Sequence, residues 1–209
     1  MKKETAKTIC ERLEGKYPDP RPALKYRSAY ELLVAVILSA QCTDERVNKV
    51  TEELFKIADT PEKMAALSAE ELGKYIFSCG LYRSKAEHII SASKDIAEKF
   101  GGEVPDNLED LRTLAGVGRK TANVVYSVAF GGDAIAVDTH VFRVSARIGL
   151  AKGRNPLDTE EKLMKVIPKK EWSKMHHCLI FHGRETCSAR SPKCGDCVLS
   201  DVCERNGVK

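Results

Sequence analysis

Aromatic side chains are scarce in this sequence: Phe, Tyr and Trp together make up 6% of 209 residues, with a single Trp. Sandwiches and barrels draw heavily on aromatic and β-branched residues, so the shortage argues against a sheet-rich fold. Long apolar runs are missing as well. The longest, from Leu32 to Leu38, is far short of the roughly 18 residues that cross a bilayer. The polar opening MKKETAKTICERLEG has no signal-peptide core. There is no tandem repeat and no low-complexity linker. Apolar residues at 43% and charged residues at 31% exclude a disordered chain. These features predict a helical, cytoplasmic protein that makes no use of a membrane.

The net charge of +4 hides an asymmetry. Residues 31 to 109 hold 9 Lys/Arg against 15 Asp/Glu, while the rest of the chain holds 25 against 15. A positive field gathered in one region suits a polyanion such as nucleic acid, although an excess of this size also serves as a solubilising surface. The same shift is the best boundary signal. It predicts an acidic helical module at 22–131 and a basic, discontinuous one made from 1–21 and 132–209.

Helix punctuation recurs along the chain. Thr60 before Pro61 reads as an N-cap followed by proline at the first helical position, where its missing N–H costs nothing. Ser68/Glu71, Ser84/Glu87, Asp106/Glu109 and Asp158/Glu161 each have the spacing of a capping box. Residues 85–100 keep a helical period that Gly101-Gly102 ends. The run ELLVAVILSA from Glu31 is apolar on all sides and predicts a central, buried helix. A further helix is expected at Thr121–Phe130.

Eight cysteines in a cytoplasmic protein should be reduced. Cys10, Cys42, Cys79 and Cys178 are scattered among apolar neighbours as core residues are. Cys187, Cys194, Cys197 and Cys203 instead form C-x6-C-x2-C-x5-C within 17 residues. Thiolates so close in sequence can surround one soft metal centre, either zinc or a cubane iron–sulfur cluster, and spacing alone leaves both open. The intervening segment carries Arg190 and Lys193, two cations on a short loop pinned at both ends, where they can meet phosphates.

A second constellation lies in LRTLAGVGRKTANVV, residues 111–125. Gly116-Val117-Gly118 allows a tight turn that presents backbone amides to an anion at a helix N-terminus. A lone GxG is more often an ordinary turn. Here it is followed by Arg119 and Lys120 on the first turn of the next helix. An ammonium at the positive end of a helix dipole is disfavoured against the neutral amine, so Lys120, if also desolvated, is expected to be a nucleophile. Asp138, after the apolar stretch Ala134–Val137, reads as an N-cap. A carboxylate so fixed can also accept a proton or stabilise a developing cation. His140 reads as a helix-start or core residue, and His176, His177 and His182 show no metal spacing.

The string LAGVGRKTANVV, followed by VDTHVFRV and then by C-x6-C-x2-C-x5-C, resembles the endonuclease III family of DNA glycosylases, in the helix-hairpin-helix, Gly/Pro-Asp superfamily. The likeness runs from about residue 20 to 205, with the motifs in the family's order. It implies an all-α, two-domain helix-hairpin-helix DNA glycosylase fold: a six-helix barrel with the hairpin motif near 108–127, and a second domain carrying a [4Fe–4S] cluster on the loop 187–203. Damaged double-stranded DNA is then the partner of a monomeric enzyme. The resemblance implies that Lys120 attacks C1′ of the damaged nucleotide with help from Asp138, that the resulting Schiff base allows β-elimination on the 3′ side, and that Cys187, Cys194, Cys197 and Cys203 hold the cluster. It further implies that Gln41 in LSAQCTD and Leu81 in CGLYRSKA fill the space left by the extruded base. Composition alone reads these two as a helix-end polar residue and a core leucine. Gly116, Gly118, Arg119, Arg190 and Lys193 fall at the family's remaining DNA contacts. Cys42 departs from the alanine common beside Gln41.

Two competitors remain at this stage. An adenine-excising or mismatch-specific branch of the superfamily lacks lysine at position 120. A helix-hairpin-helix DNA-binding or redox-sensing iron–sulfur protein would bind without base release, and it leaves the joint presence of Lys120 and Asp138 without a purpose.

Overall fold

The computed structural model describes residues 3–20 and 22–208, and among them there are helices and no strands. The chain divides into two compact units, residues 22–131 and residues 1–21 with 132–209.

The 22–131 unit holds α2 (Ala29–Ser39), α3 (Asp44–Ile57), α4 (Pro61–Ala65), α5 (Ala69–Ile76), α6 (Tyr82–Lys99), α7 (Leu108–Leu111) and α8 (Arg119–Ala129). The remaining helices are α1 (Lys3–Lys16), α9 (Thr139–Ile148), α10 (Pro156–Val166) and α11 (Trp172–Glu185), the last preceded by one 3-10 turn at Lys169–Glu171. Six helices of the 22–131 unit have five residues or more, and α7 is a single turn. No helix among the described residues is long and apolar enough to cross a membrane.

Helix α2 is buried from Tyr30 to Leu38, as an all-apolar run requires when it cannot turn a polar face to water. It packs on α3, α6 and α8, and its Leu32, Leu33 and Leu38 are at most 1% exposed. Truncating one such leucine to alanine costs about 2–5 kcal/mol, because the cavity adds to the lost transfer energy. Glu31 is buried in this helix's first turn and is paired there: Oε2 accepts the Arg27 N–H at 2.7 Å, and Oε1 accepts from Arg27 Nη2 at 2.6 Å.

The other unit has its own core, in which α11 packs on α9 and α1. Met175, Cys178 and Leu179 of α11 meet Ile9 and Leu13 of α1 and Val144 of α9 in one apolar cluster. The Arg12 guanidinium on α1 pairs with Asp201, and Lys16 Nζ donates to Thr186 Oγ1 at 3.0 Å. The N-terminal helix is thereby tied to the C-terminal coil within one unit.

Several helix starts differ from the sequence expectation. Thr60 caps α4, and Ser68 with Glu71 closes a full capping box on α5. Ser84, however, lies inside α6, which begins at Tyr82 behind a left-handed Leu81 with no side-chain cap. Asn107, not Asp106, caps α7. Asn155, followed by Pro156, caps α10, while Asp158 sits in the first turn and accepts the Arg154 N–H. Asparagine is as good a cap as aspartate, so spacing to a glutamate does not decide between neighbouring candidates.

Burial holds His177, on α11, down at about 4, against about 6.5 in an unfolded chain. The unfolded state therefore binds the extra proton between those values, and stability is lost as pH falls from 6.5 toward 4. The loss should total about 3 kcal/mol. Urea titrations across this window should show His177→Gln with a shallower slope than wild type, and an identical slope would remove His177 as its source.

Candidate active site and cluster loop

The segment between α7 and α8 forms a hairpin closed by the Val117 N–H on the Leu114 carbonyl at 3.1 Å. Gly116 has φ +76°, and a Cβ there would lie 2.9 Å from His88 Cβ. Both the backbone sign and the close approach demand glycine. Gly118 is the N-cap of α8 in extended conformation, with no side chain to cap the first turn. Amides at such an end favour an anion. Arg119 and Lys120 follow as the first two helical residues, and both are exposed. The desolvation on which the reading of Lys120 as a neutral amine depends is thus not present, because the residue is exposed. Its helix-end position is as expected.

Asp138 is the N-cap of α9, half-buried, with Oδ1 accepting the Val141 N–H at 2.7 Å. The apolar stretch Ala134–Val137 ahead of it is buried, which anchors the carboxylate from behind. His140 contacts Arg143 Nη2 at 3.2 Å, consistent with a helix-start role.

Gln41 and Leu81 share an unusual backbone, with φ of 54° and 58°. A left-handed conformation at a residue with a Cβ costs on the order of 1–3 kcal/mol. Leu81 is also 66% exposed, which corrects its reading as a core leucine. An apolar side chain held out from a strained loop is a candidate for contact with something other than water.

Residues 186–208 contain turns and no helix or strand among those described. None of Cys187, Cys194, Cys197 and Cys203 is in a disulfide. Burial is the largest cause raising Cys197 and Cys203, and the charges of the other cluster cysteines raise them further. Four thiolates near enough to repel one another form a donor set that a cationic centre satisfies. The Leu199 N–H donates to Cys197 Sγ and the Arg205 N–H to Cys203 Sγ, both at 3.4 Å. Arg147 Nη1 lies 3.7 Å from Cys187 Sγ. Donors to sulfur of this kind tune iron–sulfur centres. Among the described residues no three His, Cys, Asp or Glu side chains converge as a single-ion site. A [4Fe–4S] cluster would instead be held by all four thiolates of the loop together.

Sequence reasoning missed the supports of this loop. Arg143 Nη2 donates to the Gly183 carbonyl at 2.8 Å and its Nε to the Cys187 carbonyl at 3.2 Å. Arg147 donates to the Ser188 and Ala189 carbonyls at 2.7 and 2.8 Å. Their i,i+4 spacing on α9 was visible, but its target was not. His182, which showed no metal spacing, has Nε2 3.5 Å from Cys197 Sγ. The same arginine fork fixes the segment before Arg190 and Lys193, which are both exposed, while the Lys193 N–H closes on the Thr186 carbonyl at 2.9 Å.

Comparison with known proteins places this geometry. Residues 34–169 match the family model of the HhH-GPD superfamily base excision DNA repair proteins, and residues 187–203 match the iron–sulfur binding domain of endonuclease III. The endonuclease III of Haemophilus influenzae is 52% identical over 204 residues, covering 98% of this chain and 97% of that protein. The chain belongs to the endonuclease III family. That of Bacillus subtilis is also 52% identical, over 194 residues covering 92% of this chain and 88% of its own. A solved structure of a trapped endonuclease III–DNA covalent intermediate superposes with a TM-score of 0.93 at 48% identity, covering 98% of this chain and 97% of that one.

This endonuclease III family member is therefore a base excision DNA repair protein with a [4Fe–4S] cluster. When bound, the cluster supplies iron–thiolate bonds that fix a coil with no helix or strand of its own. The purified protein should be brown and carry about four irons per chain. Cys197→Ser should lose iron and melt about 5 °C lower or more, and a colourless variant with unchanged melting would separate the cluster from stability.

Proposed function

We propose that Lys120 and Asp138 carry the DNA glycosylase and AP lyase activities of this family member, and that its substrates are oxidised pyrimidines such as thymine glycol in duplex DNA. The damaged base must first leave the stack. Gln41 and Leu81 fill the space it vacates. The Lys120 amine then attacks C1′ of the extruded nucleotide, and the glycosidic bond breaks with its electron pair going to the base, which departs as it gains a proton. Asp138 stabilises the positive charge that develops on the sugar. Lys120 nitrogen loses a proton, and its lone pair then expels O4′ from C1′, opening the sugar ring as O4′ takes the electron pair and a proton; the protonated Schiff base left at C1′ acidifies the 2′ carbon. Removal of a 2′ proton expels the 3′ phosphate, and the strand is cut on the 3′ side. Only an amine nucleophile links base loss to strand cleavage in this way.

The single observation carrying this reading is an exposed lysine on the first turn of α8, directly after a glycine hairpin whose amides can hold a phosphate. Gly116, Gly118 and Arg119 hold the backbone there, and Arg190 and Lys193 hold it at the cluster loop, whose ligands are Cys187, Cys194, Cys197 and Cys203. The protein works in the cytoplasm, on nucleoid DNA.

A duplex containing thymine glycol tests the reading. Free base and a β-elimination product should appear together, with cleavage 3′ to the lesion. Binding without base release would favour a DNA-binding or redox-sensing role.

A further inference from the structure

Lys85 is a lysine with only 5% of its surface exposed. Its Nζ donates to the Leu38 carbonyl at 2.8 Å and to the Ala40 carbonyl at 2.7 Å. These acceptors sit at the C-terminal end of α2, where carbonyls lack helical partners and the dipole is negative. Burial lowers the affinity of the amine for its proton, so the fold bears a cost to keep an ammonium where a methionine would pack.

Its position explains what that ammonium holds. The Ala40 carbonyl belongs to the peptide plane entering Gln41, so fixing it fixes the rotation that sets φ of Gln41. The Lys85 backbone N–H donates to the Leu81 carbonyl at 3.1 Å, which lies in the peptide plane leaving Leu81. The two loops also touch: a Cβ on Gly80 would lie 3.4 Å from the Gln41 carbonyl oxygen. The Lys85 side chain thus holds the peptide entering Gln41, while its backbone amide, which any residue there would supply, meets the one leaving Leu81; these are the two non-glycine left-handed positions of this unit among the described residues.

We propose that Lys85 is a positioning residue that holds Gln41 and Leu81 as a single preorganised wedge, so that extruding the base depends on it and the chemistry at C1′ does not. The proposal rests on the reading of Gln41 and Leu81 as void-filling residues given above. Without the ammonium, the Ala40–Gln41 peptide can rotate, and the two side chains must be ordered on entering DNA rather than before it.

The test uses cluster-loaded Lys85→Met, which keeps the reach of the side chain and removes its donors. Lys85→Gln, which keeps one donor group, serves if the methionine variant does not fold. Two saturating substrates are compared: a duplex with thymine glycol, whose base must be extruded, and a single-stranded oligonucleotide with a preformed abasic site, where nothing is extruded. Duplex excision should fall roughly tenfold to a hundredfold while single-strand cleavage and borohydride trapping stay within about twofold. Equal losses on both substrates, or no loss on either, would overturn the proposal, because a merely structural lysine moves both together. Gln41→Ala with Leu81→Ala provides the reference. If that pair keeps full duplex excision, the wedge reading itself fails. If it loses excision and Lys85→Met does not, only the role of Lys85 fails.

Discussion

Lys120→Gln should abolish the borohydride-trapped complex with damaged duplex DNA and lower base excision on the order of 10⁴-fold or more. The size of the effect follows from removing the proposed nucleophilic atom itself, since an amide nitrogen cannot form an imine. Folding should survive the change. Lys120 is exposed on the first turn of α8, and taking a cation away from the positive end of a helix dipole is neutral or slightly stabilising. A melting curve beside the rate measurement separates the two effects. Retained trapping in the variant would assign the nucleophile elsewhere.

Asp138→Asn isolates charge from architecture. Asparagine caps helices as well as aspartate does, so the oxygen that accepts the Val141 N–H is retained and the melting temperature should barely move. On the proposed role of Asp138, turnover should drop about 10²–10⁴-fold, since the charge assigned to stabilise the developing cation is gone. Asp138→Ala should add a loss of about 1 kcal/mol in stability to that kinetic loss. An Asp138→Asn protein with full activity would reduce this residue to a cap.

Much of the candidate site could be read in the sequence because it is local. The glycine hairpin, the lysine behind it, the Asp138 cap and the thiol run are each set by residues a few positions apart, and so is the all-apolar α2. What escaped depends on long-range contact. The exposure of Leu81 follows from how α6 meets the loop before it, and periodicity cannot show that a leucine at a helix start faces out. Lys85 looks like any solvated lysine in YRSKAEH until its head group is seen on the α2 carbonyls, 47 and 45 residues away in sequence. The grip of Arg147 on the loop of Cys187 spans about 40 positions. Caps failed for a different reason: Asn107 and Asn155 compete with nearby aspartates of similar quality, and packing chooses between them.

The electrostatic design is equally divided between local and distant causes. On the proposed reading the amides ahead of α8 and the cations at the cluster loop hold phosphates, with a strength that should depend on salt. The segment that precedes the loop cations is held by arginines that donate to its backbone carbonyls. Such a loop is a scaffold for contact, and the thiolate set beneath it fixes the scaffold.

The most direct measurement of the central claim is the mass of the trapped adduct. Wild-type protein is incubated with thymine glycol duplex, reduced with borohydride, digested to peptides and nucleotides, and mapped by mass spectrometry. The reduced sugar remnant should sit on the Lys120 nitrogen and nowhere else. An adduct on another amine, or free base released with no adduct at all, would contradict the account.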